Sequence, residues 1–129
     1  MKFSKSLIAL AVGAAIAATS YAQAEDKIVV GFSQIGAESE WRTANTNDVM
    51  AAAERAGVEL KFSDAQQKQE NQIKAIRSFI SQKVDIIGFV PIVETGWDNV
   101  LREAKRAKIP VVIMDRDLKT DPSLYTAKI

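Results

Sequence analysis

Within one short stretch, Glu38-Ser39-Glu40-Trp41-Arg42, the chain places two carboxyl groups, a hydroxyl, an indole and a guanidinium, and far downstream Asp115-Arg116 adds another acid and another guanidinium. Carboxylates accept from vicinal hydroxyls, a guanidinium donates to two oxygens at once, and an indole lies against a C–H face. Such a set fits a neutral polyol. Ser33, Gln34, Asp64, Gln66, Pro91 and Thr95 stand in comparable positions, just past apolar runs, and complete a candidate rim. Taken singly, each residue has a plainer reading: Trp41 and Trp97 as core, Arg42 extending its charge over an apolar surface, Asp115-Arg116 as a solvated strand end.

Other chemistries fit poorly. The chain has no histidine and no cysteine, which removes the usual general base, the usual zinc ligands and every Ser-His or Cys-His nucleophile. Glu38 and Glu40 could in principle form a glycosidase pair, but an i, i+2 spacing near a helix start does not set them on either side of one bond. The turn Gly31-Phe-Ser-Gln-Ile-Gly36 lacks the dinucleotide fingerprint, and no P-loop lysine follows. No enzyme, cofactor or metal site is expected.

The elements that must position these groups begin after a leader. Lys2 and Lys5 precede the apolar stretch Leu7–Ala18, and Ala22-Gln23-Ala24 offers a small-x-small cleavage site, so residues 1–24 read as a signal peptide and the mature protein as exported to a periplasm or the outside. Removing Lys2 and Lys5 leaves 15 of the 17 basic residues against 16 acidic ones, a formal charge of −1. Nothing in that balance attracts nucleic acid or an anionic membrane.

Residues 25–129 then read as alternating strands and helices. The strands are Lys27–Ser33, Val58–Ser63, Asp85–Val90 and Val111–Met114. A first helix is expected over Glu40–Ala56, with Ser39 as N-cap, Gly57 as stop, and Trp41, Val49, Ala52, Ala53 and Ala56 facing inward. The glutamine-rich run Gln66–Gln72 reads as a solvated first turn and a binding rim, leading to Ile73, Ile76, Phe79 and Ile80 on a second helix. Thr95-Gly-Trp-Asp98 has the form of a capping box ahead of a third helix, with Trp97, Val100, Leu101, Ala104 and Ala107 at helical spacing. The fold class is therefore α/β, an open parallel sheet of order 2-1-3-4 with helices on both faces and a ligand mouth where the order reverses, between strands one and three. After Leu124-Tyr125 the sequence stops at Thr126-Ala-Lys-Ile129 with no helix, cap or polar tail, which predicts an incomplete lobe with an open sheet edge.

Gly31-Phe-Ser-Gln34, Glu38–Arg42, Asp64-Ala-Gln-Gln-Lys-Gln-Glu-Asn-Gln-Ile73, Val93-Glu-Thr-Gly-Trp97 and Ile109-Pro-Val through Asp115-Arg116, in this order and spacing, resemble the N-terminal lobe of type I periplasmic sugar-binding proteins of ABC transporters, most nearly the galactofuranose-binding type. The resemblance implies capture of a monosaccharide between two lobes and delivery to an inner-membrane permease, by a monomer. It implies that Glu38, Ser39, Trp41 and Arg42 line the site from the first loop, with Glu40 at its rim, and that Asp115 and Arg116 close it from the fourth strand. The galactofuranose type carries glycine where this chain has Glu40, so the sugar's identity does not carry over with the rest. Ribose-type relatives carry Asn where this chain has Val90, which counts against ribose. The runner-up is a periplasmic sensor that presents a sugar to a chemoreceptor or kinase.

Overall fold

A computed structural model describes residues 26–129; the expected leader lies outside the described residues. The elements run β1 (Val29–Gln34), α1 (Glu40–Ala56), β2 (Glu59–Asp64), α2 (Gln69–Ser81), β3 (Ile86–Phe89), α3 (Asp98–Arg106), β4 (Val111–Ile113), a 3-10 turn (Pro122–Leu124) and β5 (Ala127–Lys128). All strand pairs are parallel, in the order β2-β1-β3-β4-β5. The order reverses between β1 and β3, as the strand-helix alternation predicts, and the carboxyl ends of these strands form the mouth.

The main core lies on the face covered by α2 and α3, where Ile76, Phe79, Val100 and Leu101 meet Ile87, Phe89, Val111 and Ile113. Gly31 is what lets α2 sit close to β1, since a Cβ there would lie 2.5 Å from Phe79 Cγ. On the opposite face α1 covers a smaller cluster of Phe32, Ile35 and Val90 with the half-buried Val49, Leu60, Phe62 and Met114. Edge strand β2 buries neither end, in keeping with its alternating Glu-Leu-Lys-Phe pattern.

Four local expectations need correction. The inward stripe of α1 is not Trp41, Ala52 and Ala56, which are exposed. It runs through Arg42, Thr46, Val49 and Ala53 at i, i+4, i+7 and i+11, because the first two turns of α1 overhang the polar mouth rather than the apolar sheet. The Thr95 capping box does not form. Trp97 is fully buried, with its ring 4.9 Å from Phe89 and its indole N–H donating to Val93 O at 2.7 Å, so packing sets the start of α3 at Asp98. Gln72 is not solvated but has no exposed surface. The final residues do pair: Thr126 N–H donates to Val111 O, and β5 continues the sheet beyond β4.

Gln72 ties α2 to the chain leaving β3. Its Nε2 donates to Val90 O at 2.7 Å and its Oε1 accepts from Ile92 N–H at 3.0 Å. Gln72→Leu strands both backbone groups, each of which costs roughly 1–3 kcal/mol when left unpaired in the interior. A loss of about 2–4 kcal/mol is expected on that basis, read as a lowered melting midpoint; an unchanged midpoint would show that the pairing contributes nothing.

Candidate functional site

The loop from β1 to α1 is built to aim one side chain. Gln34 is fully buried, and its Nε2 donates to Asn45 Oδ1 and Thr46 Oγ1 at 2.9 and 3.1 Å, which pins the first turns of α1 to the end of β1. Ser39, extended at φ −154° and ψ 160°, caps α1 by accepting from Arg42 N–H at 3.1 Å. Arg42 is thereby fixed in the first turn with its side chain directed into the mouth.

There the guanidinium is held on two sides. Its Nε donates to Glu38 Oε1 at 3.0 Å and its Nη2 to Asp115 Oδ2 at 2.9 Å, although Asp115 comes from the loop after β4. The Arg42 side chain is only 3% exposed, against 23% for Glu38 and 37% for Asp115. Its carbon Cζ stands 4.8 Å from the centroid of the Trp41 ring. Trp41 itself is 58% exposed, so its indole face is presented to solvent at the rim. The remaining terminal nitrogen, Nη1, is buried and has no hydrogen-bond partner among the described residues. An orphaned guanidinium donor at the mouth is what an incoming oxygen would complete.

Asp115 reaches Arg42 through an unusual backbone. It sits at φ +64° in a three-residue turn closed by Arg116 N–H to Met114 O at 2.7 Å, a strained geometry. Its own N–H donates to Ile129 O at 2.8 Å, so the strand pairing beyond β4 braces it.

The structure brings Glu38, Ser39, Trp41, Arg42 and Asp115 together. Glu40 is exposed in the first turn of α1, where an acid suits the helix dipole. Arg116 is exposed, and its charge acts on Glu38 without contact. Several rim candidates serve the scaffold instead: Asp64 accepts from Gln66 N–H, Thr95 O accepts from Gln69 Nε2, and Pro91 is buried. Ser33 is buried with its hydroxyl unpartnered among the described residues. Sequence reasoning missed the Gln34–Asn45–Thr46 link. Its signal was present, since Asn45 and Thr46 follow Arg42 at i+3 and i+4 on one helical face.

Burial by itself raises the Glu38 carboxyl, but its backbone hydrogen bond, Arg42 and the more distant Arg116 outweigh this and hold it below the usual 4.5. A carboxyl that is more acidic when folded contributes stability above its unfolded value and loses it as pH falls through the folded one. The melting midpoint is therefore expected to hold from neutral pH down to about 4.5 as far as Glu38 is concerned, and to decline below it. Glu38→Gln should flatten part of that decline; identical pH profiles would remove Glu38 from the network. Among the described residues no group of His, Cys, Asp and Glu is placed to hold a metal ion.

Residues 30–129 match the family model described as periplasmic binding protein domain. The chain belongs to the periplasmic binding protein domain family. Its relatives include the galactofuranose-binding protein YtfQ of Escherichia coli (strain K12), 51% identical over 124 residues that make up 95% of this chain and 38% of that protein. The fructose import binding protein FruE of Bifidobacterium longum (strain NCC 2705) is 40% identical over 93 residues, 71% of this chain and 28% of that one. Among solved structures, the periplasmic binding protein component of the arabinose ABC transporter from Shewanella sp. ANA-3, bound to α- and β-L-arabinofuranose, superposes with a TM-score of 0.77 at 62% identity. It is matched over 78% of this chain and 33% of that one. A galactofuranose binding protein gives the same TM-score at 55% identity, over 78% and 34% of the respective chains. This periplasmic binding protein domain thus spans 38% and 28% of the two curated relatives' lengths, and carries the expected parallel architecture.

Proposed function

We propose that this periplasmic binding protein chain captures a monosaccharide in its furanose form, with Arg42 as the central donor, for import by the permease of an ABC transporter in the inner membrane. The observation that carries the reading is the Arg42 guanidinium, clamped between Glu38 and Asp115 with Nη1 left buried and unpartnered at the mouth. A fixed donor flanked by carboxylates with spare lone pairs matches the alternating donor and acceptor character of sugar hydroxyls. The exposed Trp41 face supports an apolar contact beside it. Furanose is favoured because relatives at 50% identity or more are named for galactofuranose or bound to arabinofuranose. Transport is favoured over sensing because relatives at 40% identity or more are named as import or ABC transporter components. Ser39 positions Arg42, Glu40 and Arg116 form the charged outer rim, and the protein works as a monomer.

The direct test grafts residues 26–129 in place of the matching segment of the E. coli relative and titrates the chimera by calorimetry. L-Arabinose, D-galactose and D-fructose, which contain furanose forms in water, are expected to give saturable heat; D-glucose, almost wholly pyranose, is expected to give none. No heat with any of them would overturn the reading. Export completes the proposal. Cleavage after Ala24 is expected to leave Glu25 as the first residue, detectable by mass spectrometry of a periplasmic extract, whereas recovery of intact Met1 in the membrane fraction would contradict it.

A further inference from the structure

Gln66 and Gln67 occupy both central positions of the turn that carries β2 into α2, at φ +52° and +59°, with Lys68 N–H closing on Ala65 O at 3.0 Å. Positive φ at both central positions is the turn form that ordinarily takes Asn or Gly, because a longer side chain's Cβ is crowded there. The neighbouring chain holds the turn against that cost. Gln67 N–H donates to Ile35 O at 2.7 Å, Ala65 N–H to Gln34 O at 3.0 Å, and Asn71 Nδ2 to Ala65 O at 3.0 Å. The strained turn is thus fastened to the same β1 exit loop that aims Arg42.

Its consequence is the placement of Gln67. A Cβ added to Gly36 would meet Gln67 Cγ at 3.2 Å and Glu38 Oε2 at 3.6 Å. Gln67 and Glu38 therefore converge over Gly36, and the missing side chain of that glycine leaves them room. Three other glutamines near the mouth are committed, Gln34 to Asn45 and Thr46, Gln69 to Thr95 O, and Gln72 to Val90 O and Ile92 N–H. Gln66, exposed in the same turn, bonds among the described residues only through its backbone N–H to Asp64 and is not placed beside Glu38 over Gly36. Gln67 is exposed, and its side-chain amide has no hydrogen-bond partner among the described residues.

We propose that Gln67 is a further specificity-determining residue of the sugar site, its amide reaching across Gly36 beside Glu38 to pair with one hydroxyl of the bound monosaccharide. This rests on the sugar-binding reading above. An amide can donate as well as accept, whereas the Glu38 carboxylate only accepts, so the pair distinguishes the orientation of neighbouring hydroxyls. Glycine would satisfy the backbone here more easily, so the turn's conformation does not itself call for glutamine.

The test uses the chimera that carries residues 26–129, its Gln67→Gly and Gln67→Asn variants, and L-arabinose, D-galactose and D-fructose as probes, followed by titration calorimetry and thermal unfolding. Gln67→Gly is expected to raise the melting midpoint by relieving the left-handed crowding, and at the same time to weaken binding of the best sugar by about 3- to 10-fold, the loss of one hydrogen bond. Gln67→Asn, which keeps an amide and tolerates positive φ, is expected to lose less. A Gln67→Gly variant that binds as tightly as the parent overturns the proposal and leaves the sugar-binding reading standing. A lowered midpoint that accounts for the weaker binding also overturns it, since that marks a structural role. No saturable response from the parent chimera overturns both.

Discussion

Replacing Arg42 by lysine is expected to weaken sugar capture about a hundredfold, the equivalent of losing roughly 3 kcal/mol of charge-assisted hydrogen bonding. The reason is geometric. The guanidinium uses Nε for Glu38 and Nη2 for Asp115 and still has Nη1 for a ligand, all in one rigid plane. An ammonium is a single point charge on a flexible stem and cannot address two fixed carboxylates and a sugar oxygen together. Stability should fall as well, because Arg42 is 3% exposed and a buried charge network that loses a partner costs about 3–5 kcal/mol in well-buried cases. Glu38 and Asp115 retain contact with water, so the lower end applies and Arg42→Lys should still fold. Arg77→Lys, at the exposed Arg77–Glu103 pair on the α2–α3 surface, provides the contrast: there neither affinity nor melting midpoint should move appreciably. Titration calorimetry beside thermal unfolding, with the grafted chimera as background, checks all of this. Wild-type affinity in Arg42→Lys would show that Arg42 only braces the two acids.

Asp115→Asn is expected to weaken binding by about ten- to a hundredfold, since a hydrogen bond to a charged group contributes roughly 1.5–3 kcal/mol. Asparagine is the informative substitute. It keeps the shape of the side chain and tolerates the φ of +64° at this position, whereas alanine would add backbone strain to the loss of the carboxylate. Midpoint and affinity should therefore separate, with the midpoint moving by a few degrees at most and the affinity by one to two decades. The competing view is that Asp115 serves only as a counter-ion to Arg42. In that case Asp115→Asn should lower the midpoint and leave affinity almost unchanged, which would withdraw Asp115 from ligand contact and weaken the case for the whole charged rim.

Much of this protein is legible one segment at a time. The α/β class, the 2-1-3-4 order, the span of α1 from Glu40 to Ala56 and both of its caps follow from local rules, because an apolar β-branched run, a Ser N-cap and a Gly at positive φ act over a few residues. The clustering of Glu38, Ser39, Trp41 and Arg42 is equally local, since a strand end followed at once by a helix start can hold them nowhere else. What only the tertiary structure decided concerns which way side chains turn and what they meet. Trp41 and Trp97 look alike in the sequence, yet Trp97 falls between α3 and the sheet and is fully buried, while Trp41 precedes the inward stripe of α1 by one residue and is left facing solvent. Arg42 could as well have lain along an apolar surface; it is buried because Asp115, 73 residues away, arrives from the end of β4 and completes its charge pairing. Gln72 reads as a polar helix start, and becomes core only because the chain leaving β3 presents two backbone groups to it. Patterns within a turn or a strand determine elements, whereas burial of a polar group depends on a partner that crossover connections bring from elsewhere, and no local periodicity encodes that meeting.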